Sequence, residues 1–440
     1  MSDFRKQHMA IQWNDIVGSD SYEPAINASL QEKASLVGRV GLMMLSVGTG
    51  AWRVRASMNK IARSLNIVCN ADIGLLSIEY TCTENGQTYT NALSLSTTGI
   101  NTDKLNELEH FADGFHDRVS KYSITQFHRI LDKFDEMPHN YKAYNLALAS
   151  ALACCGFTFL LGGGAVEMIL AFFGAGVGQF VRKKFIERKI TLLANVTAGV
   201  AAACCTYALL FKLAVMLFGI AESHQAGYIC SMLFVIPGFP LVTGVIDISK
   251  LDMRSGLERL AYAVLIIVMA TLTGWTTSMI LDFHPQDFEE LQLDPLVKCI
   301  IRIITSFCGV YGFSFLYNSK RKMAVTAGLI GMTANTLRLE LIDFTGMPPA
   351  TAAFIGALTA GLLASAIKKY IGYPRISITV PSIVIMVPGM FMYKAVYYMG
   401  LNDIDSFEMW FTKAILITIS IPLGLIFARI LTDKNFRKSS

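Results

Sequence analysis

Long apolar runs in the last 300 or so residues are joined by loops that alternate between two compositions. Loops of the first kind are basic and lie at residues 182–189, 249–259, 318–322, 368–375 and 432–440. Loops of the second kind contain no Lys or Arg and lie at residues 162–164, 221–225, 282–295, 341–349 and 399–408. Short loops rich in Lys and Arg stay on the cytoplasmic side of a membrane. The alternation therefore predicts a polytopic α-helical membrane protein with ten spans and both termini in the cytoplasm.

The composition restricts the possible functions. A chain of 440 residues that is 53% hydrophobic and 16% charged is too apolar for a soluble protein of this size. Its formal net charge of +5 resides in the basic loops, so the charge reports topology and does not indicate nucleic-acid binding. The first residues lack the apolar run of a signal peptide, and we expect no cleaved leader. No Cys or His spacing matches a metal site, so we expect neither a metal nor a cofactor.

Residues 1–140 predict a separate α+β domain, which the topology places in the cytoplasm. Asn85-Gly86 lies between two runs rich in β-forming residues, and this dipeptide is the strongest short-range signal for a β-hairpin. Helical periodicity before the hairpin predicts two helices or one kinked helix. Two amphipathic helices are expected after it, one from Thr102 and one that starts with a capping-box pattern at Ser123.

The ten predicted spans form two groups of five. They are expected at residues 143–162, 165–181, 190–220, 226–247, 258–281, 296–317, 322–341, 350–367, 377–398 and 409–431. Most of them reach the ~20 residues that a helix needs to cross a bilayer. The expected domains are a cytoplasmic domain at 1–140, five-helix membrane repeats at 141–283 and 294–432, and a cytoplasmic tail at 433–440.

One dipeptide occurs at matching positions in the two halves. Pro237-Gly238 and Pro388-Gly389 are 151 residues apart, and each lies in the fourth span of its half. Because each half has an odd number of spans, the second half must cross the membrane in the opposite orientation. Inverted repeats with helices interrupted at matching positions are typical of secondary transporters, since proline removes a backbone donor and the freed groups need protein, water or substrate as partners. We therefore predict that both motifs lie close together near mid-membrane and line a transport path; the alternative is that they are simple kinks.

Several motifs occur in the order found in one family of membrane proteins. The segment at residues 48–55 keeps the Arg53-Val54 pair of a Gly-Ala-Glu-x-x-Arg-Val-Glu-like motif, but both glutamates are absent and Arg55 replaces one of them. The pattern Pro-Gly-x-Pro-Leu…Asp…Gly…Arg of the first half is met by Pro237, Gly238, Pro240, Leu241, Asp247, Gly256 and Arg259. The prolines, glycine and aromatic of the second half are met by Pro349, Phe354, Pro374, Pro381, Pro388 and Gly389. In these motifs the chain resembles the threonine/serine exporter family, including the related succinate exporters.

Charged residues within the predicted spans are candidate functional groups, because a charge near the bilayer centre costs ~2.5–3.5 kcal/mol. Glu167 and Arg302 could pair with each other, or Arg302 could face a substrate carboxylate in the transport path. Glu167 is also a candidate proton carrier. Asp247 and Arg338 lie near span ends and are candidates for gating or for loop contacts.

The resemblance and the topology together predict a secondary transporter of the bacterial inner membrane that exports threonine, serine or a C4-dicarboxylate such as succinate. No Walker motif is present, so a proton gradient is the expected energy source. The expected partners are a small-molecule substrate and the lipid bilayer, with no nucleic acid, and a homo-oligomer is left open. The alternative is a membrane-anchored sensor or enzyme whose activity resides in the N-terminal domain. Arg53 and Arg55 of that domain lie on a basic helix face that could bind a regulatory anion or simply be solvated.

Overall fold

A computed structural model describes residues 11–16, 23–283, 288–289, 291–434 and 436–437. The chain divides into two compact units. Of the described residues, the first unit contains those up to His139 together with Thr243–Leu260, and the second contains Asn140–Val242 and those from Ala261 onward. The expected boundaries assigned residues 243–260 to the first membrane repeat. The structure groups them instead with the N-terminal residues, through contacts given below.

The first unit is an α+β fold built around a small sheet. Its elements are α1 (Leu30–Ser46), α2 (Ala51–Ser64), β1 (Val68–Ile73), β2 (Ser77–Glu84), β3 (Gln87–Ser94), α3 (Thr102–Asp113) and α4 (Ile124–Asp135). The three strands are antiparallel in the order β1-β2-β3. α1 is buried along most of its length because it packs against the sheet and against the other helices.

Local sequence signals account for the turns and caps of this unit. The hairpin predicted at Asn85-Gly86 is confirmed: φ is 48° at Asn85 and 79° at Gly86, as both central residues of a type I′ turn require. The capping box predicted at the start of α4 is also present. The Ser123 hydroxyl accepts a hydrogen bond from the N–H of Gln126, and the Gln126 side chain accepts one from the N–H of Ser123.

The remaining elements are almost entirely helical. They are α5 (Ala143–Leu160), α6 (Ala165–Glu187), α7 (Leu192–Phe218), a 3₁₀ segment (Glu222–Val235), α8 (Gly238–Ser249), α9 (Met253–Ile280), α10 (Pro295–Leu316), α11 (Arg321–Thr345), α12 (Pro349–Ile371), α13 (Arg375–Ile383), a 3₁₀ turn (Val384–Met386), α14 (Gly389–Gly400) and α15 (Ile404–Thr432). The second half of α8 and the first turns of α9 belong to the first unit, so this helical hairpin is shared between the two units.

Among the described residues, 7 helices are long and apolar enough to cross a membrane. Two bent pairs bring the number to 9 if each counts as one span: Ser223–Val235 with Gly238–Ser249, bent by 58°, and Arg375–Met386 with Gly389–Gly400, bent by 51°. The architecture is that of a polytopic membrane protein. The ten spans predicted from the sequence include α11, which these criteria leave out. Its second half contains Asn335, Arg338 and Glu340, and these residues lower its hydropathy.

Candidate functional site

The two bent pairs are interrupted by turns that have the same hydrogen bonds. At the first break the N–H of Gly238 donates to the carbonyl of Ile236, at 2.9 Å. At the second break the N–H of Gly389 donates to the carbonyl of Val387, at 2.8 Å. In both cases the residue before the proline donates to the carbonyl three residues earlier, at 3.1 and 3.2 Å. The Pro-Gly repeat in the sequence is therefore also a repeat of backbone geometry.

The two breaks contact each other reciprocally. If a Cβ were added to either glycine, it would lie 2.7 to 3.3 Å from side chains of the opposite break. The contacts are those of Gly238 with Val384 and Val387, and of Gly389 with Leu233 and Ile236. Each glycine thus faces the residues five and two positions before the other glycine, which is the pattern of a twofold axis between the breaks. All four residues of the Pro-Gly motifs are buried, so the structure brings the two motifs together in the interior.

A second reciprocal contact joins α5 and α10, the first helices of the two halves. A Cβ on Gly156 would lie 2.6 Å from the carbonyl oxygen of Thr305, and a Cβ on Gly312 would overlap the carbonyl oxygen of Ala149. Gly312 lies 156 positions after Gly156, and Thr305 lies 156 positions after Ala149. These glycines allow the helix backbones to approach closely. The twofold pattern at the breaks therefore extends to the helices beside them.

Glu167 is buried at the start of α6. One carboxylate oxygen accepts a hydrogen bond from the backbone N–H of Gly164, at 2.9 Å. The other lies 2.7 Å from Nδ1 of His224, whose own carbonyl accepts a hydrogen bond from the hydroxyl of Tyr207, at 2.7 Å. The sequence analysis left open a pair between Glu167 and Arg302. The structure gives Glu167 a different partner, because His224 lies in the first turn of the 3₁₀ segment after α7, and this segment packs against α6.

Arg302 lies on α10 and pairs with two acidic residues of α11. Its guanidinium contacts Glu340 at 3.0 Å and Asp343 at 2.8 Å, and Lys298 also contacts Asp343 at 2.8 Å. These four residues line a cavity of about 300 Å³. Arg302 is therefore neutralised by α11 at the wall of a polar cavity. Glu340 and Asp343 were not predicted as its partners, since they lie 38 and 41 positions further along the chain.

Arg338 contacts the second break directly. Its guanidinium donates a hydrogen bond to the carbonyl of Met386, at 3.1 Å. Met386 is the last residue of the 3₁₀ turn before Pro388, so this carbonyl is one that the interruption frees from the regular helical pattern. Of the charged candidates from the sequence analysis, Arg338 is the one that the structure places against a Pro-Gly break.

Asp247 lies in the first unit, where it forms a buried cluster with Arg259. The two side chains are 3.2 Å apart, and Ser255 donates a hydrogen bond to Asp247 at 2.9 Å. Asp247 also accepts a hydrogen bond from the N–H of Ala51 at 3.1 Å, at the N-terminus of α2. Arg259 donates to the carbonyls of Gly48 (3.2 Å) and Thr49 (2.6 Å). The loop between α1 and α2 is thus held by both side chains, which explains why residues 243–260 belong to the first unit.

The two regulatory candidates also have acidic partners. Arg53 forms an ion pair with Glu109, and Arg55 contacts Asp252 at 2.6 Å. Lys60 lies seven residues after Arg53 on the same helix face and pairs with Asp113, whereas Arg55 points to another side of α2. These three basic residues are therefore neutralised within the first unit. Within the part of the chain that the structure describes, no cluster of His, Cys, Asp or Glu could hold a metal ion.

The family model of threonine/serine exporters, ThrE, matches residues 35–281, more than half of the chain. The chain belongs to the threonine/serine exporter family. A second model of threonine/serine exporters, ThrE_2, matches residues 302–431, so the two matches divide the exporter between its two halves.

This exporter is similar to three curated proteins. It is 25% identical to "Probable succinate transporter subunit YjjP" of Escherichia coli over 236 residues, which cover 53% of this chain and 88% of the relative. The protein of the same name from Klebsiella aerogenes is 24% identical over 240 residues, which cover 54% of this chain and 89% of the relative. "Probable threonine/serine exporter" of Mycobacterium tuberculosis is 23% identical over 383 residues, covering 83% and 69%. No solved structure matches the chain.

Sequence analysis did not single out His224, the partner of Glu167, or Arg182. His224 was counted only as part of a loop without Lys or Arg, and Arg182 only as the first charge of a basic loop. Arg182 lies within α6, five residues before its end. A search for amide and arginine residues repeated at the spacing of the two halves would have found it, because Gln179-x-x-Arg182 and Asn335-x-x-Arg338 share the same pattern.

Proposed function

We propose that the protein is a secondary transporter that exports small carboxylate-bearing metabolites: threonine and serine, or a C4-dicarboxylate such as succinate. The observation that carries this proposal is the reciprocal packing of the two buried helix breaks at Gly238 and Gly389. Secondary transporters place their substrate sites near mid-membrane, where interrupted helices of two inverted repeats meet. Membership of the threonine/serine exporter family supports the same function.

The proposed architecture is a pair of inverted five-helix repeats. The residues that correspond at the breaks are 151 positions apart in the sequence, and those that correspond in the contacts between α5 and α10 are 156 positions apart. Such similar offsets are expected for two related halves. We count α11 as the tenth crossing, since its charged residues find partners on α10 and at the second break. With the basic loops inside, both termini are cytoplasmic and the membrane is the bacterial inner membrane.

The proposed substrate class follows from the ends of the interrupted helices. α8 and α14 both begin at a glycine of the breaks, so their N-termini point toward the same interior region. The N-terminus of a helix carries partial positive charge and attracts carboxylates. Relatives described as a threonine/serine exporter and as a succinate transporter subunit support a carboxylate substrate.

A proton gradient is the proposed energy source, with Glu167 as the carrier. A buried carboxylate that contacts a histidine within a membrane span can exchange a proton with it. Glu167 has this arrangement with His224. Replacement Glu167→Gln removes the titratable group and keeps the side-chain shape, so it should abolish acceleration of export by an imposed pH gradient while exchange of substrate persists.

The function is tested by counterflow in proteoliposomes that contain the full chain. Labelled serine, threonine and succinate are offered outside vesicles loaded with the same unlabelled compound. We expect transient accumulation of at least one of them. Gly238→Leu and Gly389→Leu should abolish accumulation, because a leucine at either position overlaps the opposite break.

The matched control is Cys205→Leu, which adds bulk at an exposed position of α7. It should transport at the rate of the unmodified protein. Absence of counterflow for all three compounds would overturn the proposed function. Normal counterflow by both glycine variants would overturn the assignment of the breaks to the transport path.

A further inference from the structure

An amide and an arginine are repeated at equivalent positions of the two halves. Gln179 and Arg182 on α6 correspond to Asn335 and Arg338 on α11, with an offset of 156 positions. The same offset relates the reciprocal contacts between α5 and α10. In both pairs the residues are three apart, so both side chains lie on one face of their helix.

The packing around the two arginines is also equivalent. A Cβ on Gly199 would lie 2.9 Å from Cβ of Arg182, and a Cβ on Gly356 would lie 3.2 Å from Cβ of Arg338. Both glycines also approach the carbonyl four residues before the arginine, at 3.3 and 3.1 Å. Each arginine is thus held between its own helix and a glycine of the next helix. Two independent contacts therefore support the correspondence between Arg182 and Arg338.

Both pairs contain buried polar atoms that lack a partner. Gln179 is 6% exposed and Asn335 is 0% exposed. Within the described residues, the amide oxygens of both side chains and Nε of both arginines are enclosed and make no hydrogen bond. An unsatisfied buried polar group costs about 1–3 kcal/mol, so four of them in two matching sets call for an explanation.

The pairs lie beside the segments that contain the breaks. Arg338 contacts the carbonyl of Met386, as described above. On α6, a Cβ on Gly178 would lie 3.0 Å from Phe234, in the 3₁₀ segment that precedes the first break. A substrate that reaches either break would therefore come near one of the two arginine–amide pairs.

We propose that these pairs are two equivalent binding positions for an α-amino acid zwitterion, one in each half. The arginine Nε–H donates to the carboxylate of the ligand, and the unsatisfied amide oxygen accepts from its ammonium group. At each position this chemistry satisfies both orphaned atoms of the pair, whereas a dicarboxylate would leave the amide oxygen without a donor. The proposal rests on the proposed transport function and specifies its substrate-binding residues.

The inverted arrangement gives the two positions different access. Arg182 lies near the end of α6 that the proposed topology places inside, and Arg338 lies in the part of α11 that it places outside. In this arrangement the exported amino acid occupies the first pair when the protein opens inward and the second when it opens outward. Damage to either pair should therefore slow export, because the two positions act in series.

The test uses counterflow of labelled serine by the full chain in proteoliposomes. Arg182→Gln and Arg338→Gln should each reduce the rate about 10- to 100-fold, the loss expected for one charge-assisted hydrogen bond. The matched controls are Arg188→Gln and Arg321→Gln, which remove one positive charge at an exposed position near the end of the same helix. Both controls should keep the unmodified rate.

Asn335→Asp provides a second test that does not remove the side chain. A carboxylate attracts the ammonium of serine and repels a carboxylate of succinate, so this variant should keep serine exchange and lower any succinate exchange. If Asn335→Asp loses serine exchange, or leaves succinate exchange unchanged, the amide oxygen does not face the ammonium group of the ligand and the proposal is wrong. Unmodified rates in both arginine variants would also overturn it, whereas failure of the unmodified protein to exchange serine would overturn the proposed function itself.

Discussion

His128 lies in the core of the first unit, where burial and the neighbouring Arg39 disfavour its protonated form. Its Nδ1 lies 3.1 Å from the guanidinium of Arg39, and its Nε2 lies 3.1 Å from the hydroxyl of Ser35. Asp132 and Asp135 bind the same guanidinium, at 2.5 and 3.4 Å. Burial, and secondly the positive charge of Arg39, lower the pKa of His128 from 6.5 to about 4. The imidazole is therefore neutral in the folded unit at physiological pH.

This shift predicts how the stability of the first unit depends on pH. Between pH 6.5 and about 4 the unfolded chain binds a proton that the folded unit does not. Stability is therefore complete above pH 6.5 and falls as the pH approaches 4, by about 3 kcal/mol in total. Hydrogen-exchange protection factors of α1 and α4 in the full chain should decrease over this range. His128→Gln should remove most of that dependence, while the exposed His110→Gln should keep it; an unchanged dependence in His128→Gln would contradict the assignment.

The buried pair of Asp247 and Arg259 shows a different residue-scale balance. A buried ion pair contributes little relative to an apolar pair of the same size, but removal of one partner leaves an uncompensated charge and costs about 3–5 kcal/mol. Both side chains also bond to backbone groups of the loop at residues 48–51. The main effect of these two charges is therefore to determine where α8 and α9 contact the N-terminal residues. Their net contribution to stability is small.

At the scale of elements, the β2–β3 hairpin depends on one glycine. A Cβ on Gly86 would meet nothing within 4 Å, so the only obstacle to substitution is its φ of 79°. A β-branched residue in this left-handed region costs about 1–2 kcal/mol. We therefore expect Gly86→Val to lower hydrogen-exchange protection of β2 and β3 in the full chain. Asn85→Gly changes the same turn without this strain and should retain the protection; equal protection in both variants would exclude the type I′ turn as its source.

The elements that the sequence predicted correctly are those determined by local signals. The hairpin follows from Asn85-Gly86, and the start of α4 follows from Ser123 and Gln126, because each signal and its partner lie within four residues. The Pro-Gly breaks were visible for the same reason. The pairing of Arg302 with Glu340 and Asp343 was not predictable, because periodicity does not determine which charged faces of two helices meet.

Composition alone did not reveal two other features. Arg182 was assigned to a basic loop because it adjoins Lys183 and Lys184, although the helix continues to Glu187. Residues 243–260 were included in the first membrane repeat because the predicted spans at 226–247 and 258–281 end and begin within them. Their partners are residues 48 to 79, roughly 200 positions earlier in the chain, and only the folded structure brings the two segments together.

At the scale of the whole molecule, the two family matches end and begin on either side of one segment. The first match ends at residue 281 and the second begins at 302. A break of the chain between residues 283 and 291 would leave both parts of the first unit on one piece, and the second piece would start just before α10. We therefore expect the pieces, produced together, to copurify and to restore counterflow. A break after Lys250 separates Asp247 from Arg259, so the resulting pieces should not restore counterflow. If they do restore it, the hairpin of α8 and α9 does not need covalent continuity.

The reciprocal contacts between α5 and α10 then acquire another meaning. When both helices belong to one polypeptide, Gly156 and Gly312 determine how closely two halves of a monomer pack. If the same halves were translated separately, these glycines would form a subunit interface of matching surfaces. A gene for such a protein can divide or fuse at this junction without a new binding surface, because the twofold packing already supplies one.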